Sequence, residues 1–123
     1  MTGNILVVED DRLVRDLISK VLRRDGHGIV EACDGTVALE ILQMMHFDLM
    51  ITDFVMPKIN GLKFVKQLHA LQPRLPIIFI TGYRSAISRN TVLEDVAEIL
   101  PKPFELNVLR TTVQRLLRGS TAC

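Results

Sequence analysis

Asp48-Leu49-Met50-Ile51-Thr52-Asp53 is an apolar run closed by a carboxylate, and Met56-Pro57 and Gly61 follow closely enough to turn the chain. It reads as a buried strand, about residues 48–52, that holds Asp53 at its mouth. Three distant runs end in the same manner. Ile5-Leu6-Val7-Val8 leads to Glu9-Asp10, Ile77-Ile78-Phe79-Ile80 to Thr81, and Ala97-Glu98-Ile99-Leu100 to Lys102-Pro103-Phe104. Short apolar runs alternating with stretches of helical period are the pattern of repeated βα units and a parallel sheet. Right-handed crossovers then place helices on both faces and bring every strand C-terminus to one edge. Glu9, Asp10, Asp53, Thr81 and Lys102 all fall on that edge.

The intervening segments fill in the pattern. Leu13, Val14, Leu17, Ile18, Val21 and Leu22 give a first helix two neighbouring apolar positions per turn, with Arg12, Arg15, Asp16, Lys20 and Arg23 on the other face. Gly26-His27-Gly28 stops it, and a second strand covers about residues 29–33. Asp34 caps a helix carrying Val37, Ala38, Ile41, Leu42 and Met45. A loop spans residues 54–60, and a third helix carries Leu62, Val65, Leu68 and Leu71 before Pro73. Pro76 opens the fourth strand. Residues 85–95 hold only a weak helical stripe, Ile87, Val92 and Val96, before a fifth strand and a last helix with Leu106, Leu109, Val113, Leu116 and Leu117. The expectation is a single α/β domain over residues 1–118, a doubly wound five-stranded parallel sheet with five helices, and residues 119–123 as a frayed tail or linker stub.

At 123 residues and 13.9 kDa the chain has room for one hydrophobic core. A net charge of +1 provides no global field of the kind that binds nucleic acid. The apolar runs are strand-sized and interrupted by Asp, Glu or Pro, too short for a membrane span. No N-terminal segment reads as a secretory signal, so the expected location is the cytoplasm. Cys33, taken as a small core residue, and Cys123, the last residue, suggest neither a disulfide nor a metal site. His27, His46 and His69 lack metal-ligand spacing and read as surface or half-buried residues.

Clustered carboxylates repel one another, so Glu9, Asp10 and Asp53 on adjacent strand ends call for a neutralising partner, and at least one of them is expected to have a raised pKa. A hard dication, Mg²⁺ or Mn²⁺, suits an all-oxygen site and keeps positions open for phosphate oxygens. Lys102 can pair with an incoming phosphoryl group, Thr81 can donate a hydroxyl hydrogen bond to it, and Asp53 is then the nucleophile, forming an aspartyl phosphate. Each residue alone has a blander explanation: a strand-end Asp is most often a turn residue or cap, and a Lys before Pro is usually solvated. Four complementary groups on one edge, in order and spacing, outweigh those. Asp11 reads as either a third acid or the cap of the first helix.

Val7-Val8-Glu9-Asp10, Asp53-Phe54-Val55-Met56-Pro57-Lys58-Ile59-Asn60-Gly61, Thr81-Gly82 and Lys102-Pro103-Phe104 resemble, in order and spacing, the receiver domain of bacterial two-component response regulators. The resemblance covers nearly the whole chain. It implies a flavodoxin-like strand order 2-1-3-4-5, the order of a family member used as a standard example. It also implies phosphoryl transfer to Asp53 from a histidine kinase or histidine phosphotransfer domain. Glu9, Asp10, Asp53 and the Val55 carbonyl would hold Mg²⁺, and Thr81, Lys102 and backbone amides near Val55 and Gly82 would contact the phosphoryl group. An output domain, fused or separate, and a homodimer through the fourth helix, fifth strand and fifth helix are further implications.

Two positions depart from the pattern: the acid pair is Glu-Asp where Asp-Asp is commoner, and Ile99 stands where the family usually carries a switch aromatic. Ile99 is a poor rotameric reporter. The response to phosphorylation is therefore expected mainly in residues 82–95, which include Tyr83. Two competing functions are weaker. A Mg²⁺-dependent aspartyl phosphatase would want a second Asp where Val55 stands, and a pseudo-receiver docking module would be expected to lack Asp53, Thr81 or Lys102.

Overall fold

A computed structural model describes residues 2–53, 61–81 and 98–121. In chain order these form β1 (Asn4–Val8), α1 (Arg12–Arg24), β2 (Gly28–Ala32), α2 (Gly35–Met44), β3 (Leu49–Asp53), α3 (Gly61–Leu71), β4 (Ile77–Thr81), β5 (Glu98–Pro101) and α4 (Leu106–Thr121). The five strands are parallel in the order β2-β1-β3-β4-β5, as expected. The helix expected over residues 85–95 lies outside the described residues, as do the 54–60 loop and Cys123. α4 continues through Gly119 to Thr121, where a frayed tail was expected.

Alternation along the central strands divides the core into two halves. Ile5 and Val7 of β1 join Leu49, Ile51, Ile78 and Ile80 against Ile18 and Leu22 of α1 and Leu109, Val113 and Leu117 of α4. Leu6 and Val8 turn the other way, joining Met50, Ile77 and Phe79 against Ala38 and Leu42 of α2 and Leu68 of α3. Successive strand side chains point to opposite faces, so a strand covered on both sides must be apolar throughout, and every residue of β3 is buried. Ile99 is half-buried against the α2/α3 half.

Helix ends follow local chemistry. Asp11 is the N-cap of α1, accepting from the amides of Leu13 and Val14, and Asp34 caps α2 by accepting from Val37. α1 ends where Gly26 takes φ +94°, a conformation that side-chain-bearing residues rarely adopt.

Several expectations on side-chain placement fail because an apolar stripe does not say how wide a neighbour covers it. Leu13 and Leu17 of α1, and also Met45 and Leu71, are exposed, while Val14, Ile18 and Leu22 meet the sheet side. Cys33 is exposed, one residue beyond β2, and is not a core residue. His27 is buried rather than superficial: its Nδ1 accepts from the Gly3 amide at 3.2 Å and its Nε2 lies 3.4 Å from the Gln114 amide. Asp48 precedes β3 instead of opening it, accepting from the Asn4 amide at 2.8 Å and so pinning the start of β1. No described helix is long and apolar enough to cross a membrane.

Candidate functional site

Register sets the site. Val8 pairs with Thr52, Asp53 with Ile80, and Thr81 with Pro101, so Glu9, Asp53, Thr81 and Lys102 leave the sheet within a residue of the same level. Strand register thus brings residues far apart in sequence to one edge of the sheet. The Lys102 Nζ donates to Asp53 Oδ2 at 2.7 Å and to Glu9 Oε1 at 3.2 Å. The other Glu9 oxygen accepts from the Asp11 amide at 3.2 Å. Glu9 and Asp53 are buried, whereas Asp10 is exposed at the rim.

Among the described residues, Glu9, Asp10 and Asp53 form the one acidic group of metal-binding geometry, each offering a ligand atom within 4.8 Å of the others. The donors are all carboxylate oxygens, the chemistry that a hard divalent cation requires. The Lys102 ammonium pairs with the two buried carboxylates, Glu9 and Asp53, and Asp10 adds a third acid at the rim. The residues present therefore fit a divalent cation.

The electrostatics agree in direction. Burial raises the Glu9 pKa above its ordinary 4.5, and the hydrogen bond to Asp10 adds to it, against the opposing Asp11 amide and the Lys102 charge. At least one carboxylate was expected to be raised by like charge; Glu9 is raised, with burial as the larger cause. Burial opposes the charge on Lys102, yet the hydrogen bond to Asp53 and the charges of Glu9 and Asp53 hold its pKa above 10.5.

Glu9, Asp10, Asp53 and Lys102 are thus brought together as expected. Thr81 ends β4 at the expected place, but its side chain, together with Val55 and Gly82, lies outside the described part. Asp11 is a cap, which removes it from the acid set. Arg15, expected on the face of the first helix opposite its apolar positions, is instead a functional neighbour of the acids. The side chain is only 17% exposed, with Nη1 donating to the Glu9 carbonyl at 2.8 Å and Nε to Glu31 at 3.2 Å. An Arg four residues after a capping Asp could have raised the suspicion, but its partner Glu31 sits on another strand.

A family model described as "Response regulator receiver domain" matches residues 5–114. The chain is 36% identical over 122 residues to response regulator MprA of Mycolicibacterium vanbaalenii, a match over 98% of this chain and 53% of that protein. It is 34% identical over 119 residues to sensor kinase CckA of Brucella abortus, covering 94% of this chain and 13% of the kinase. Among solved structures, the receiver domain of sensor histidine kinase PA1611 from Pseudomonas aeruginosa PAO1, with magnesium coordinated in its active site cleft, superposes with a TM-score of 0.84 at 26% identity, over 96% of this chain and 99% of that one. The chain therefore spans about half the length of the matched regulator and a small part of the matched kinase.

Proposed function

This chain belongs to the response regulator receiver domain family, and on that premise we propose that it is a phosphoacceptor, with Asp53 as the group that carries the phosphoryl. The observation that carries this reading is the Lys102 ammonium, 2.7 Å from Asp53 and 3.2 Å from Glu9, closing a buried group of acids at the strand edge. In the proposed step an Asp53 carboxylate oxygen bonds to phosphorus as the phosphorus–nitrogen bond of a phosphohistidine breaks, and the imidazole nitrogen keeps the electron pair. Lys102 exchanges part of its contact with Asp53 for a phosphoryl oxygen, and Thr81 donates its hydroxyl to another. Glu9, Asp10, Asp53 and the Val55 carbonyl would hold Mg²⁺ or Mn²⁺, which supplies charge neutralisation to the phosphoryl oxygens. The magnesium in the related receiver of PA1611 supports that assignment.

The donor is proposed to be a histidine kinase or a histidine phosphotransfer domain. Leu13 and Leu17, exposed on the first two turns of α1 just beyond Glu9 and Asp10, offer an apolar footing for the helix bearing the donor histidine. The phosphorylated chain would act on an output domain, fused or separate, from the cytoplasm, and β5 with α4 would contribute to a homodimer face. Incubation with acetyl phosphate and Mg²⁺ followed by intact mass measurement is expected to show one added phosphoryl group, lost in Asp53→Asn. Undiminished labelling of that variant would overturn the assignment, and unaltered labelling kinetics in Thr81→Ala would remove Thr81 from the step.

A further inference from the structure

We propose that Arg15 is a positioning residue for the carboxylate trio, fixing the Glu9–Asp10 peptide through a guanidinium that Glu31 holds in place. The inference rests on the reading of Glu9, Asp10 and Asp53 as a cation site. The Glu9 carbonyl belongs to the peptide that joins the first two acids, and it accepts from Arg15 Nη1 at 2.8 Å. At its other side Glu9 is tied to the sheet, its amide donating to the Ala32 carbonyl at 3.1 Å. Arg15 is itself anchored: Nε donates to Glu31 Oε2 at 3.2 Å, and the second Glu31 oxygen lies 3.5 Å from Arg23 Nη1. A single planar group thus spans β2, α1 and the turn that presents the acids, and it touches none of the carboxylate oxygens of the trio.

The chemistry explains why an arginine stands here. A guanidinium offers donors on different edges in fixed relation, so an acceptor on β2 and a carbonyl in the turn are held at a set separation. A lysine ammonium keeps the charge but has no rigid fork. Arg23, 54% exposed on its side chain against 17% for Arg15, contacts Glu31 without reaching the turn, and so serves as the control.

Mg²⁺ titration by calorimetry, using the full chain, tests the proposal in wild type, Arg15→Lys, Glu31→Ala and Arg23→Gln. Residues that orient metal ligands from behind are worth about tenfold or more in affinity. Arg15→Lys and Glu31→Ala are each expected to weaken Mg²⁺ about tenfold, and Arg23→Gln less than about twofold. A metal-free readout accompanies it: hydrogen exchange at the Asp11 amide, which donates to Glu9, should accelerate in Arg15→Lys while the β1 amides keep their protection. Wild-type affinity and wild-type Asp11 exchange in Arg15→Lys would overturn the clamp and leave the cation site standing. Faster Asp11 exchange with no Mg²⁺ binding to any form, wild type included, would support the clamp and overturn the cation-site reading. Equal loss of protection throughout β1 would show a general structural role and overturn the proposal.

Discussion

Replacing Lys102 by Met removes the ammonium while keeping most of the apolar stem, and it leaves two buried carboxylates, Glu9 and Asp53, without their common partner. Stranding one partner of a fully buried ion pair costs about 3–5 kcal/mol. Lys102 is 30% exposed on its side chain and water can reach the vacated space, so about 2 kcal/mol is the expected loss in metal-free protein at neutral pH. For 123 residues the unfolding entropy is about 0.26 kcal/mol per kelvin, and Tm should fall by about 8 °C. The same ammonium competes with a cation for the same oxygens, so Lys102→Met should bind Mg²⁺ about tenfold more tightly, while phosphorylation or its conformational readout is impaired. Saturating Mg²⁺ should then close about two-thirds of the Tm gap, since a site that binds tenfold more tightly gives the variant about 1.4 kcal/mol more stabilisation than wild type. The pH dependence has a definite sign. Glu9 has a raised pKa in the folded state, so the native form holds its proton more tightly than the unfolded chain, and stability falls as pH rises from 4.5 through the folded value. Loss of Lys102 should steepen that fall. Thermal melting across pH, with and without Mg²⁺, gives all of these quantities. An unchanged metal-free Tm together with unchanged or weaker Mg²⁺ binding would refute the placement of Lys102 as the counter-charge of this cluster.

Three further outcomes follow from groups away from the site. Ser19 Oγ is buried and has no hydrogen-bond partner among the described residues, so Ser19→Ala should be neutral or stabilise by up to about 1 kcal/mol in urea unfolding; clear destabilisation would mean the hydroxyl is satisfied in solution. Burial lowers the His27 pKa below 6.5 against the opposing charge of Asp25, so stability is full above 6.5 and declines as pH falls through the folded value; His27→Gln should flatten that decline in pH-dependent melting. Gln72 donates to the Leu42 carbonyl at 3.2 Å and the Met45 carbonyl at 2.9 Å, stitching the end of α3 to the end of α2, and Gln72→Ala should destabilise by about 1–2 kcal/mol, with faster amide exchange at Phe47 as the local sign.

The sheet, and the edge on which the candidate site residues gather, can be read from the chain alone. Strands buried on both faces are written as unbroken apolar runs, their ends by the charged residue that follows, and parallel crossovers leave no choice of edge; Glu9, Asp10, Asp53 and Lys102 were therefore legible before any coordinate. The cap at Asp34 was legible because it acts within three residues of itself, whereas Asp11 stood open between acid and cap until the Leu13 and Val14 amides were seen to donate to it. How far each face is covered, and by what, depends on the packed fold. Leu13 and Arg15 are near neighbours on one helix, yet the leucine is exposed and the arginine is held against β2, because Glu31 and the Glu9 carbonyl reach it from another strand and from the turn. His27 is buried because Gly3 and Gln114 close over it from the two ends of the chain, and Cys33 is exposed because β2 ends one residue before it. Periodicity records which side of an element is apolar; the width of the covered strip depends on neighbours tens of residues away, and no local pattern carries that information.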